Sequence, residues 1–341
     1  MLIRNLHLEN FKCFKNFDAE FSEGVNLIIG RNASGKTTLL QGLSVAIGSF
    51  WMKLSEVEKR GIEKKEIRIE PLSGFPEFQF PVVVKAFGNV LGEEGISWSR
   101  ELNSISGGIT SINAKELEKL SLRAQEAVRN DENLALPLVA YFSTTRLSND
   151  RKKPRQGKEP IGRFRGYYNA LNDTNTKRYI QDWFGDGERW LVQNKQIGRE
   201  ATNEGLDLLR KIIKAILPGV NSVFYFDPKI QAERPEMPEG LYLINGGDNI
   251  LHESQFSDGY RNLLWLFIEI AWRCYMLNPF LGEKANEKTN GVVMIDEVDL
   301  HLHPALQQKV VGMLADTFPK IQFIMTTHSP IVVGSVKGNL Q

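Results

Sequence analysis

Eight residues, Gly30-Arg31-Asn32-Ala33-Ser34-Gly35-Lys36-Thr37, have the types and spacing of a loop that wraps phosphate. Glycines in such a loop let backbone N–H groups turn inward, and the helix that follows adds a favourable dipole. A lysine at this place reaches the terminal phosphates, and the hydroxyl beside it can ligate magnesium. The flanks fit, because Val25-Asn26-Leu27-Ile28-Ile29 is an apolar run of strand type and Thr38-Leu39-Leu40-Gln41-Gly42-Leu43 reads as helix. Chance copies of the loop occur, but a strand before and a helix after make chance a poor explanation. The chemistry implied is binding of a nucleoside triphosphate through Gly30, Asn32, Ala33, Ser34, Gly35, Lys36, Thr37 and Thr38, with Thr37 also serving Mg2+.

A second cluster lies far along the chain. Val292-Val293-Met294-Ile295-Asp296-Glu297 is an apolar run that ends in two carboxylates. In an α/β sheet such a run is a central strand whose carboxyl end opens onto the ligand crevice. Asp296 there can hold magnesium, directly or through water, and Glu297 can orient or deprotonate an attacking water. Seen alone, the pair is equally an acidic strand end at the surface; beside a phosphate loop, the chemical role is the better account. Ile321-Gln322-Phe323-Ile324-Met325-Thr326-Thr327 is a further apolar run leading to His328. A lone histidine at a strand end is usually structural. Here a helix over residues 305–318 separates the two runs, which makes a βαβ crossover and sets the strands side by side. That brings His328 within reach of a terminal phosphate or the lytic water.

Ser257-Asp258-Gly259 precedes an apolar helix over residues 262–274 and has the form of a helix start. On its own this is a common N-cap, although a serine–glycine helix start also makes a good phosphate clamp.

These residues need a scaffold, and the remaining chain supplies the elements of one. The spacing predicts strands near residues 2–8, 66–69, 81–87, 96–99, 136–142, 222–226 and 241–244, and helices over 114–129, 167–190 and 203–217. Residues 56–65 are charged and read as a solvated helix end or loop. Arg151, Lys152, Lys153, Arg155 and Lys158 stand among Pro154, Gly157, Pro160 and Gly162, which is loop chemistry with positive charge. No sequence repeat and no long heptad array is present. The length of 341 residues suits one large α/β domain with insertions, or two lobes sharing a core. With 42 basic and 41 acidic residues, net charge argues neither for nor against a nucleic-acid partner. Two cysteines, Cys13 and Cys274, exclude a disulfide scaffold and fit a reducing compartment. The apolar run 263–268 is broken by Glu269, and the first residues lack a secretory core, so a soluble cytoplasmic protein with no membrane partner is expected.

Phosphate loop, serine–glycine helix start, strand–Asp–Glu and strand–histidine, in that order, resemble the ABC-type ATPases. The likeness is to the branch containing RecF, Rad50, the SMC proteins and the OLD nucleases. Leu6-His7-Leu8-Glu9-Asn10-Phe11-Lys12-Cys13-Phe14 looks like that branch's opening strand and turn, Ser257-Asp258-Gly259 like its signature helix, and Asp299-Leu300-His301-Leu302-His303-Pro304 like its D-loop. The resemblance implies an α/β ATPase head with a mixed sheet flanked by helices, and an inserted helical lobe in place of a long coiled coil. Three parts follow: an N-terminal ATPase lobe (1–147), an inserted basic and helical region (148–220), and a C-terminal ATPase lobe (221–341). It also implies ATP and Mg2+ as ligands, Glu297 and His328 as catalytic groups, and a head-to-tail dimer or larger assembly. In such a dimer Ser257, Asp258 and Gly259 serve the nucleotide of the second copy.

Residues 163–172 through Trp183-Phe184 resemble the small ATPases of anti-phage systems, the Septu and retron-associated ATPases in particular. There the ATPase assembles with a separate nuclease and holds it in check. Two features depart from the wider pattern. Phe142-Ser143-Thr144-Thr145-Arg146 offers no glutamine where a Q-loop would stand, and no nuclease domain follows His328 before Gln341, so the chain by itself is expected not to cut DNA. The alternatives are a RecF-like ATPase that clamps duplex DNA and a scaffold that binds ATP without hydrolysing it. Glu297 and His328 weigh against the scaffold. The basic residues of 151–165 are either DNA contacts, since lysine and arginine neutralise phosphates, or a solvated loop.

Overall fold

The computed structural model describes residues 1–55, 57–72, 74–108, 110, 114–144, 160–172, 176–228, 236–247 and 249–336. Alternating burial makes the first long strand, β1 (Leu2–Phe11), which pairs antiparallel with β2 (Phe14–Glu20) across a tight turn. The apolar run before the phosphate loop is β3 (Val25–Ile29), and the loop feeds directly into α1 (Lys36–Gly48). A small hairpin, β4 (Ile69–Leu72) and β5 (Phe75–Phe78), precedes β6 (Val82–Val90) and β7 (Glu93–Leu102). Strands β2-β1-β6-β7 form one antiparallel sheet. Helix α1 packs under it: a side chain at Gly42 would collide with Leu8, and Trp98 Nε1 donates to Ala46 O at 2.8 Å.

Helix α2 (Lys115–Arg129) leads to β8 (Leu138–Phe142), a fully apolar strand. The helical insertion follows as α3 (Lys177–Gln196) and α4 (Glu204–Ile216), and the chain returns through a three-stranded sheet of β9 (Val220–Phe226), β10 (Gly240–Asn245) and β11 (Ile250–His252). Helix α4 shows why such segments fold: Leu206, Leu208, Leu209, Ile212, Ile213 and Ile216 make one buried stripe, and the Asn203 side chain caps Leu206 N–H. The long apolar helix α5 (Asp258–Leu277) and the short α6 (Ala285–Lys288) precede β12 (Gly291–Ile295). Helices α7 (Pro304–Gln307) and α8 (Val310–Thr317), strand β13 (Ile321–Thr327) and α9 (Pro330–Ser335) complete the described chain.

The second four-stranded sheet is wholly parallel, in the order β3-β13-β12-β8. Its inner strands are buried at every position, as expected where helices cover both faces. The α/β fold with flanking helices is therefore present, and its parallel and antiparallel strands occupy separate sheets. Among the described residues no helix is long and apolar enough to cross a membrane.

Four local expectations change, the first being that the strand expected near residues 66–69 begins only at Ile69, after a 3-10 turn over Lys64–Glu66. The helix expected from residue 167 begins at Lys177, because residues 162–167 form a 3-10 turn that buries Phe164 and Tyr167 and bonds Tyr167 Oη to Pro137 O at 2.8 Å. The single helix expected over 305–318 is two, α7 and α8. The charged stretch near residue 60 is not wholly solvated: Arg60 and Glu66 are both buried and form a two-pronged ion pair, with Arg60 Nη1 3.0 Å from Glu66 Oε2. A fork against a carboxylate satisfies both groups once they leave water.

Candidate functional site

Parallel strands present all their carboxyl ends at one edge, and here that edge carries the chemistry. Thr327 is level with Ile29 and Met325 with Ile295, so the phosphate loop after β3, the Asp296-Glu297 pair after β12 and His328 after β13 leave the sheet together. Strand β13 lies between the other two, which sets exposed His328 at the middle of this edge.

The loop itself is built by backbone conformation. Ala33 and Gly35 have positive φ (62° and 96°), and Ser34 N–H turns back to Arg31 O at 3.2 Å. Gly35 also needs its missing side chain, since a Cβ would lie 2.5 Å from the Phe14 ring and 3.0 Å from Cys13 Sγ. Lys36 is 8% exposed, and its Nζ donates to Gly30 O at 2.9 Å and Arg31 O at 3.0 Å, so the ammonium spans the loop. Asn32 and Ser34 face solvent, and Thr38 is half-buried at the helix start. The turn between β1 and β2 covers the loop's far end. There Lys12 Nζ donates to Gln41 Oε1, and burial pushes the Lys12 ammonium below its ordinary pKa against the opposing pull of Glu66.

Thr37 Oγ1 donates to Asp296 Oδ2 at 2.7 Å, across 259 positions of sequence. Asp296 is 1% exposed; its Oδ1 accepts the Thr326 hydroxyl at 2.6 Å and its N–H donates to Phe142 O at 2.8 Å. Glu297, one residue on, is half-buried with φ +48°. Its N–H donates to Thr326 Oγ1 at 2.8 Å, and Leu300 N–H donates to its carbonyl at 3.0 Å. A hydroxyl and a carboxylate meeting at one point suit Mg2+, which takes one or two protein oxygens and completes its shell with phosphate and water. No group of three or more His, Cys, Asp or Glu able to hold a metal occurs among the described residues.

Ser257 occupies the N-cap position of α5 but its side chain makes no capping bond, and both it and Asp258 are exposed. Asp258 pairs with Arg261 at 2.6 Å. Gly259 is buried against the turn that follows Glu297: a Cβ there would lie 2.4 Å from His301 O. The helix start and the carboxylate turn of the same chain are thus in direct contact.

Two hydroxyl residues of β13 join the site without having stood out in the sequence. Thr326 bonds to both Asp296 and Glu297, and Thr327 donates to Asp299 Oδ1 and accepts Ser329 N–H at 3.0 Å. Ser329 in turn donates to Gln307 Oε1 at 2.7 Å and caps α9. Hydroxyls at a strand end, one strand from a carboxylate, were the available signal. Arg163, counted with the basic residues of 151–165, is committed to the fold: it donates to Leu277 O (2.7 Å), Glu132 O (2.9 Å) and Asn278 Oδ1 (3.2 Å), and burial lowers its pKa. Arg165 is exposed. Arg151, Lys152, Lys153, Arg155 and Lys158 lie outside the described residues, as do Thr145 and Arg146 of the stretch where a Q-loop glutamine was sought.

The AAA domain family matches residues 5–216, which include the phosphate loop. The Retron Vc95 probable ATPase of Vibrio cholerae serotype O1 biovar El Tor is 27% identical over 98% of this chain and 71% of its own length. The Septu protein PtuA of Bacillus thuringiensis is 23% identical over 98% of this chain and 73% of its own. Among solved structures, an SMC head bound to the C-winged helix domain of ScpA superposes with a TM-score of 0.54 at 17% identity, covering 98% of this chain and 93% of that one. At that identity the likeness shows the fold. The expected similarity to retron and Septu ATPases is found in sequence, and that to SMC heads in fold.

Proposed function

Because this chain belongs to the AAA domain family, we propose that it hydrolyses ATP with Mg2+ at the edge of the parallel sheet and uses the cycle to govern a partner nuclease in anti-phage defence. The 2.7 Å bond between Thr37 and Asp296 carries the catalytic part of this reading, since it joins a phosphate-loop hydroxyl to the carboxylate after β12. The defence setting is taken from the retron and Septu proteins, which match nearly the whole chain. A RecF-like DNA clamp is the lesser alternative.

Lys36 exchanges its two carbonyl partners for the terminal phosphates, an ionic contact stronger than either bond it gives up. Bound Mg2+ supplies neutralisation of phosphate charge, and Thr37 and Asp296 are the residues to hold it. Glu297 accepts the proton of the water that bonds to the terminal phosphorus as the bond from that phosphorus to the ADP oxygen breaks, and His328 stabilises charge on the transferred phosphoryl group. Ser257, with a hydroxyl that does not cap its own helix, serves the nucleotide of a second copy arranged head to tail, together with Asp258 and Gly259.

The direct test is turnover. Purified chain should release phosphate from ATP in the presence of Mg2+ and stop when the metal is chelated. Hydrolysis indifferent to chelation would remove Thr37 and Asp296 from the metal role. Purification with the neighbouring genes expressed should retain a nuclease, and a lone chain that binds duplex DNA tightly would favour the clamp instead.

A further inference from the structure

Thr326 is fully buried in β13, yet its one hydroxyl makes two bonds to two different residues of the site. A hydroxyl has one proton and two lone pairs, so it can donate and accept at once. Here the proton goes to Asp296 Oδ1 and a lone pair receives Glu297 N–H. The first bond gives the two oxygens of Asp296 separate roles, because Oδ1 is held from β13 and Oδ2 is left turned to Thr37 and the phosphate loop. The second bond steadies a residue that needs steadying. Left-handed backbone at a non-glycine costs about 1–2 kcal/mol, and Glu297 sits there with φ +48°. Its N–H is anchored on Thr326 Oγ1, and Val298 N–H follows onto Thr326 O at 2.9 Å.

We infer that Thr326 is a positioning residue that sets the metal-facing carboxylate and the water-facing carboxylate together. The inference rests on the ATPase reading above and adds to it a single point from which both acidic groups are aimed. Loss of the hydroxyl releases Asp296 to turn either oxygen toward the phosphate loop, and it takes from Glu297 N–H the acceptor that holds it. Both changes act on chemistry that Thr326 itself does not touch. Residues that orient metal ligands from behind typically change metal affinity or activity by about 10- to 100-fold when removed.

Valine keeps the shape of threonine without its hydroxyl, and serine keeps the hydroxyl without the methyl. Binding of a non-hydrolysable ATP analogue to the full chain, followed while Mg2+ is titrated, separates metal affinity from turnover. Thr326→Val should need about tenfold or more Mg2+ for half-maximal binding, keep its metal-free nucleotide binding, and lose kcat. Thr326→Ser should stay near wild type in both. In a Glu297→Gln background the further loss of kcat on adding Thr326→Val should shrink, because the group being aimed is already gone. If Thr326→Val does not fold, Thr326→Ala takes its place in the same titration. Wild-type Mg2+ dependence in the hydroxyl-free variant overturns the inference, as does a serine variant that loses as much as valine, which would make the site one of packing. Failure of the wild-type chain to bind the analogue at all is a different result and removes the ATPase reading beneath it.

Discussion

At the edge of the parallel sheet, both oxygens of buried Asp296 already have hydroxyl donors, whereas at the start of α5 the side chain of exposed Ser257 makes no capping bond to its own helix. The first region is assembled from β3, β12, β13 and β8, elements far apart in sequence. The second is a single helix start. The carboxylate at the sheet edge is held by neighbours on its own chain, while the Ser257 hydroxyl does not cap the helix it starts. The two regions meet where Gly259 packs against His301 O.

Breaking the first region should have the larger effect. Lys36→Ala removes the ammonium that spans the loop, and ATP binding should fall below detection by calorimetry; undiminished affinity would falsify the assignment of the loop. Glu297→Gln keeps the shape of the side chain and loses the proton acceptor, so phosphate release should slow by about a hundredfold or more. Binding should persist, and light scattering with ATP should find the variant as an accumulated dimer. Turnover at the wild-type rate would move the base elsewhere.

The second region is tested by complementation. In the proposed head-to-tail arrangement, Ser257→Arg puts a bulky cation against the other copy's nucleotide and leaves this chain's own loop intact, so it should bind ATP yet be inactive. Mixed with Lys36→Ala it forms one dead composite site and one intact site, and part of the activity should return. A fully active Ser257→Arg chain would remove the α5 start from the nucleotide site altogether. Gly259→Ala forces a methyl toward His301 O and should cost about 1–3 kcal/mol of stability as an overpacked contact. Its melting temperature should fall together with turnover, and a change in neither would unlink the two regions. The smallest effect is expected at Arg163. Arg163→Ala should lower thermal stability by about 1.5–3 kcal/mol through lost charged hydrogen bonds and leave any salt dependence of DNA binding unaltered. A flatter salt slope would return this arginine to the nucleic-acid contacts.

The phosphate loop is legible in the sequence because its spacing is local and the strand before it and helix after it are contiguous with it. The pairing of β12 with β13 is legible from the crossover, since a helix between two apolar runs forces parallel neighbours. Thr326 and Thr327 are not, because a threonine in a strand is ordinarily there for its β-branched shape, and only register shows which hydroxyl faces a carboxylate. Arg163 misleads for a similar reason: it follows a basic stretch in sequence, but its guanidinium is drawn to the carbonyls of Leu277, Glu132 and Leu134. The late start of α3 also escapes the pattern, as Phe164 and Tyr167 fit a helical face and a buried 3-10 turn equally well.

The strand order β3-β13-β12-β8 has a consequence for how the protein is made. Val25 pairs beside Phe323, so the strand that launches the phosphate loop waits for a neighbour synthesised nearly 300 residues later. Ribosomes add about 5–20 residues per second, which leaves β3 without its sheet partner for tens of seconds. During that time Leu27, fully buried in the finished sheet, lies on an unpaired edge, and Thr37 has no Asp296 to meet. A nascent chain can carry the whole nucleotide loop and still lack the paired strand and carboxylate that complete the site.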